Sequence, residues 1–274
     1  MIQAFKAEMF RIRRHLSYVV FVGLIAGICA GFSMLHIVAR EATMGIPDMS
    51  VAAYNRMGSE LLPNTFAFFS YYYDIGFIHL LLALPVVLFE SSVFGKTYET
   101  GMLRTLIGHG VSRRRYLFFH LVADFAVLLI VWSLGAVLIA GLGLAFDYLF
   151  LGNLAWSPSC WGAMLRMILG HSSQQMAIIG FTLLGVILSR QAMYGFIGGI
   201  VYVFISMTVS SAVASSWLTS QPFLSFLFTA HKTVIDPGLP WLDPGYMGAF
   251  VVLWIGVAGI MAVNLWLFGR QEIA

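Results

Sequence analysis

From Tyr116 to Phe146 the chain runs 31 residues with a single formally charged side chain, Asp124. A bilayer core about 30 Å thick needs roughly 20 apolar residues to cross it as a helix. This run is long enough to cross, and to tilt or project beyond the lipid. Lipid offers the backbone no hydrogen bonds, so a crossing segment must satisfy its N–H and C=O groups internally, as a helix does. Five further apolar stretches repeat the pattern. Composition excludes a water-soluble domain: the 274 residues are 60% hydrophobic and 10% charged, against about 25% charged in soluble proteins. The expected fold is all-α, a single polytopic membrane domain over 1–274 with six transmembrane helices.

The spacing places these spans at about 17–38, 71–93, 116–146, 168–189, 192–213 and 247–268. Ahead of them, Ile2, Phe5, Met9, Ile12 and Leu16 recur at helical spacing among Lys6, Arg11, Arg13 and Arg14. A basic amphipathic helix over 1–16 is expected there, lying in the membrane interface or orienting the first span. Its basic run and the long apolar stretch behind it fit a retained N-terminus, not a cleaved signal. With the N-terminus in the cytoplasm, the inner segments hold Lys6, Arg11, Arg13, Arg14, Lys96, Arg104, Arg113, Arg114, Arg115, Arg190 and Arg270. The outer segments hold Arg40, Arg56, Arg166 and Lys232. Eleven against four is the sense that the positive-inside rule requires, and six spans return the C-terminus to the cytoplasm. Two outer regions are richer than plain loops. Residues 147–167 read as an interfacial segment with Trp156 and Trp161 at headgroup depth. Residues 214–246 read as a re-entrant segment, too short in its apolar part to cross. Cys29 and Cys160 fall at different depths, so no disulfide is expected.

The longest inner loop, 94–115, is no plain charged linker. Its pattern predicts a short helix from Glu99 to Ile107, with Met102, Leu103, Leu106 and Ile107 on the apolar side and Arg104 between them. Gly108 and Gly110 end it. Ser112 is placed to cap the next helix, which starts through Arg113, Arg114 and Arg115. A short cytoplasmic helix with an apolar face either fits a groove on a partner or lies on the lipid surface beside a basic anchor.

These residues resemble the type-2 ATP-binding-cassette (ABC) permeases, particularly their peptide and antibiotic exporter or immunity branch. In that family an acidic residue, a glycine, a short Leu- or Ile-rich helix and Gly-Val-Ser-Arg follow the second span. Here these are Glu99, Gly101, Leu103 to Ile107, and Gly110-Val111-Ser112-Arg113. The match covers about 25 residues, with Met102 where the family often has Thr and His120 where it often has Lys. The resemblance implies that Glu99, Gly101, Met102, Leu103, Arg104, Leu106 and Ile107 belong to a coupling helix. That helix would dock on cytoplasmic ABC ATPase subunits, which would hold ATP and Mg. It further implies a homodimer, or a heterodimer with a second permease. Such a pair would export a peptide, antibiotic or lipid-like cargo across a bacterial plasma membrane. Membrane lipids are expected partners and nucleic acid is not.

No catalytic motif is apparent, and no cofactor is expected on this chain. Gly95-Lys96-Thr97 ends like a phosphate-binding loop, but that loop needs a glycine five residues before its second glycine, where Glu90 stands, and a preceding strand. His36, His79, His171 and His231 lack metal-ligand spacing, so no metal is expected. Asp124 inside the third span is costly, by about 2.5–3.5 kcal/mol if central. It lies one turn from His120, and the two form either a relay or a satisfied polar contact, the latter being preferred. Glu90 is expected to pair with the arginines after Ser112. Gly23, Gly27 and Gly31 recur every four residues, for packing within the bundle or, secondarily, for a dimer seam. Two rivals to a permease remain. One is an integral-membrane enzyme using His120, Asp124 and His79, and the other is an anchor or sensor that binds an ATPase without moving cargo.

Overall fold

Apolar runs that lipid would force into helices are helices here. The computed structural model describes residues 16–44, 77–108, 110–151, 158–212 and 244–271. These residues form α1 (Leu16–Met44), α2 (Phe77–Glu90), a π-helical turn (Ser91–Gly95), α3 (Lys96–Glu99) and α4 (Met102–Gly108). Then follow α5 (Arg113–Leu151), α6 (Pro158–Ser189), α7 (Ala192–Ala212) and α8 (Pro244–Arg270). No strand occurs among the described residues. Four segments, Leu81–Glu99, Arg113–Ala145, Met164–Ser189 and Met247–Arg270, are long and apolar enough to cross a membrane. Ser17–Gly31 and Ala192–Ser206 are shorter apolar helices. The protein is therefore an all-helical membrane protein.

Helix α6 is the hub. It is buried on every side from Gly170 to Gly180 and packs against α7, α8, α5 and α2, while α1 closes the bundle against α5 and α2. Between helices in lipid the hydrophobic force is weak, so close van der Waals packing and hydrogen bonds must hold them together. The α6–α7 pair does this with glycine. A Cβ on Gly185 would lie 2.3 Å from the Tyr194 carbonyl oxygen, and one on Gly198 would lie 3.0 Å from that of Phe181. The turn between the two helices is tight enough to hold Arg190 at φ 63°, in the left-handed region. Asn264 of α8 donates to the Gly180 carbonyl of α6 at 2.8 Å, a buried polar clasp between spans.

Several expectations are corrected by these helices. Helix α6 starts at Pro158, about ten residues before the expected span at 168, so residues 158–167, expected to belong to an interfacial segment, are continuous helix. Trp161 on that extension is exposed, as a headgroup anchor must be. The small-residue stripe Gly23, Gly27 and Gly31 packs against none of the described residues. Phe21, Ile25 and Cys29 form the buried face of α1, whereas the three glycines are exposed with nothing within 4 Å among the described residues. The expected amphipathic helix (1–16) and re-entrant segment (214–246) fall on 1–15 and 213–243, outside the described residues.

Candidate functional site

The hairpin between α2 and α5 is built by two glycines. Gly101 has φ +71° and Gly110 has φ +84°, values that cost a side-chain-bearing residue about 1–2 kcal/mol. Gly101 ends α3 and starts α4, its carbonyl accepting from the Arg104 and Thr105 N–H groups at 3.0 and 3.3 Å. At the other end Gly110 N–H donates to Ile107 O at 2.9 Å and Val111 N–H to Leu106 O at 3.3 Å. That reciprocal pattern is a Schellman motif, whose penultimate residue must be left-handed. Ser112 then occupies the N-cap position of α5, its carbonyl accepting from Tyr116 N–H at 3.0 Å. The spacing Gly101 to Gly110 thus defines a rigid seven-residue helix, Met102–Gly108.

This corrects the expected Glu99–Ile107 helix in two ways. Glu99 is not on it: a left-handed break at Gly101 separates the two. Nor is the apolar side free. Leu103 is buried, and Leu106, Ile107 and Val111 pack against the core. The outward strip is Met102, Arg104 and Thr105, with Met102 44% exposed. The apolar side anchors the helix to its own bundle, and a mixed strip faces outward.

The root of the hairpin is fastened to α7, α6, α1 and the end of α8. The Glu99 carboxylate accepts the Ala192 N–H at 2.8 Å, capping α7 from a different helix and placing negative charge at its positive end. A Cβ on Gly95 would lie 2.6 Å from the Ala192 Cα, so only glycine lets the π-turn approach this closely. The Tyr98 hydroxyl bonds Gln271 Oε1 beyond α8, and Gln271 Nε2 donates to the Ile187 carbonyl of α6. Ser92 meets Ser17 of α1 at 2.6 Å. The contacts gather the start of α1, the hairpin, the α6–α7 turn and the end of α8 at one end of the bundle. Lys96, Arg104, Arg113, Arg114, Arg115, Arg190 and Arg270 are at this end, and Arg40 and Arg166 lie toward the other, seven against two among the described residues. Arg270 lies over the Trp266 ring at 4.3 Å and Arg115 over Phe119 at 5.8 Å. Arginines resting on aromatics in this way suit a membrane–water boundary.

Directly beneath the hairpin lies a closed ionisable cluster. His120 Nε2 is 3.0 Å from Glu90 Oε1 and 3.4 Å from Asp124 Oδ2, and all three side chains are 0% exposed. His120 and Asp124, read from the sequence as a relay or a satisfied polar contact, thus lie beside each other one turn apart on α5. The expected pairing of Glu90 with the arginines after Ser112 is corrected: the partner seen is His120, brought across from α5. Phe94 and Tyr116 wall the cluster, with the Phe94 ring 5.0 Å from the imidazole and Tyr116 stacked at 6.2 Å, and Phe268 packs on both of these rings. His79 is placed eleven residues before Glu90 on α2, about 16 Å along the helix axis.

A second polar centre escapes a reading of spacing alone. His171, Ser172, Ser173, Gln174 and Gln175 are five consecutive polar residues, all buried, on the hub helix. Trp132 of α5 stacks on His171 at 4.2 Å and donates its indole N–H to Gln175 Oε1 at 2.8 Å. The signal was in plain view: five polar residues in an otherwise apolar span must face protein, not lipid.

Compared with protein-family models and with curated protein sequences, the chain matches none.

Proposed function

We propose that this chain is the membrane-spanning permease half of an ATP-driven exporter, crossing a bacterial plasma membrane six times with both ends cytoplasmic. The observation that carries the reading is the inner hairpin. A short helix held between two left-handed glycines sits at the basic end of the bundle, with an exposed strip of Met102, Arg104 and Thr105. A solvated loop needs no such rigidity, whereas a handle gripped from outside does. Its root is tied to α7 through Glu99 and to α6 and the end of α8 through Gln271, so displacement of the handle reaches helices beyond its own two. Cytoplasmic ABC ATPase subunits, holding ATP and Mg, would move that handle. A homodimer, or a heterodimer with a second permease, would open a path for a peptide, antibiotic or lipid-like cargo. The outward-facing Gly23, Gly27 and Gly31 offer a close-approach surface for the second permease. The enzyme alternative is disfavoured because His120 and Asp124, at 0% exposure, present no surface to an organic substrate.

The test is co-purification from the native membrane. The wild-type chain is expected to bring down a soluble nucleotide-binding subunit. The double variant Met102→Asp, Arg104→Glu is expected to lose it by at least about tenfold, because like charge and desolvated polar groups at a docking face cost several kcal/mol. Both positions are exposed, so the bundle itself is expected to keep its melting point. Undiminished association of the variant would remove α4 from the interface.

A further inference from the structure

We infer that Glu90, His120 and Asp124 form a binding site for one divalent first-row transition cation of the Zn2+ or Mn2+ class. The inference rests on the three side chains alone and is independent of the transport reading.

Three observations converge. First, two of the separations between ligand atoms are those of a coordination shell. Atoms about 2.1 Å from one ion stand about 3.0 Å apart at right angles and about 3.4 Å apart at tetrahedral angles. The two separations here are 3.0 Å, His120 Nε2 to Glu90 Oε1, and 3.4 Å, His120 Nε2 to Asp124 Oδ2. All three residues offer one atom each within 4.8 Å of one another. Second, the charge balances. Ionised, the two carboxylates beside a neutral imidazole would carry two negative charges at 0% exposure, an arrangement that costs several kcal/mol per unpaired ion. One divalent cation cancels both. Third, the buried Glu90 Oε2 has no hydrogen-bond partner among the described residues. A carboxylate with an oxygen to spare can bind an ion through either or both atoms.

The donor set narrows the ion. One imidazole nitrogen and two carboxylates suit Zn2+, Mn2+ or Fe2+ and not the softer ions that prefer thiolate. Three protein ligands leave at least one position open. The π-turn directly after Glu90 is a further mark of a site where the helix is bent to a task. An ion here would staple α2 to α5, the two helices that carry the hairpin. The rings of Phe94, Tyr116 and Phe268 would shield it.

The test uses the full chain purified in detergent, stripped with chelator and reloaded with ZnCl2 or MnCl2. After desalting, elemental analysis is expected to find one ion per chain. Reloading is expected to raise the melting midpoint by about 5 °C or more, the shift that saturating a tight site produces in a protein of this size. Glu90→Gln and Asp124→Asn are each expected to lose the ion. Because either variant could misfold, X-ray absorption on the zinc-loaded wild type gives a second readout. It is expected to show a nitrogen/oxygen shell near 2.0–2.1 Å with imidazole scattering and no sulfur. Substoichiometric metal, metal retained equally by Glu90→Gln and Asp124→Asn, or a shell lacking imidazole would overturn the site and leave a proton-shared hydrogen-bond cluster.

Discussion

Trp132→Ala should destabilise the bundle by about 3 kcal/mol, the lower end of the range for emptying a buried aromatic site. The lower end applies because part of the cost in soluble proteins is transfer from water, and here the reference is lipid. What remains is lost packing. Trp132 is completely buried, stacks on His171 at 4.2 Å and donates to Gln175 at 2.8 Å. Trp132→Phe separates these contributions. It keeps a ring over His171 but strips the donor from Gln175 Oε1, on a side chain whose Nε2 already has no hydrogen-bond partner among the described residues. That loss should cost about 1–3 kcal/mol. Thermal unfolding in detergent, followed by near-ultraviolet circular dichroism, should order the three proteins as wild type, Phe, Ala.

Gly185→Ala should be nearly as damaging for a different reason. The added methyl would stand 2.3 Å from the Tyr194 carbonyl oxygen and 2.9 Å from its carbon, both backbone atoms that cannot turn aside. The α6 and α7 helices must separate, at a cost of about 1–3 kcal/mol in overpacking. The same change at Gly27 has open space around it among the described residues. There, in the chain dissociated from any second permease, it should be neutral or stabilising by under about 1 kcal/mol, since alanine favours the helix. Melting midpoints of the pair therefore distinguish a packing glycine from an exposed one. Equal effects would show that the α6–α7 contact does not limit stability.

Those two glycines also show what a linear reading can and cannot see. The stripe Gly23, Gly27 and Gly31 announces itself by spacing on one helix, and spacing alone does not say which neighbour the stripe faces. Gly185, Gly195 and Gly198 carry the tight contact, but they face one another across a reversal at Arg190 and make no repeat along the chain. The apolar runs were legible because lipid permits only helices there. Their ends were less so: hydrophobicity fades before a helix stops, which is why α6 reaches back to Pro158. In the hairpin, Gly110 was legible as a stop, and its positive φ gives the physical reason. The break that puts Glu99 on the far side of Gly101 was not legible, because a helical apolar pattern runs straight through it. His120 and Asp124 share a helix face one turn apart, so their contact could be read. Glu90 is thirty residues away on another helix, and only the packing of α2 on α5 delivers it. The buried run His171 to Gln175 was readable as five polar residues in a span, but its partner Trp132 was not.

The transport account turns on where α4 sits and what it touches. A single cysteine at the exposed position Thr105, in a chain otherwise free of cysteine, can be probed in intact cells with a membrane-impermeant maleimide. Labelling only after permeabilisation is expected, together with a crosslink from the same position to a soluble nucleotide-binding protein. Labelling of Thr105→Cys from outside intact cells would put the handle on the wrong face of the bilayer, where no ATP-driven motor can grip it.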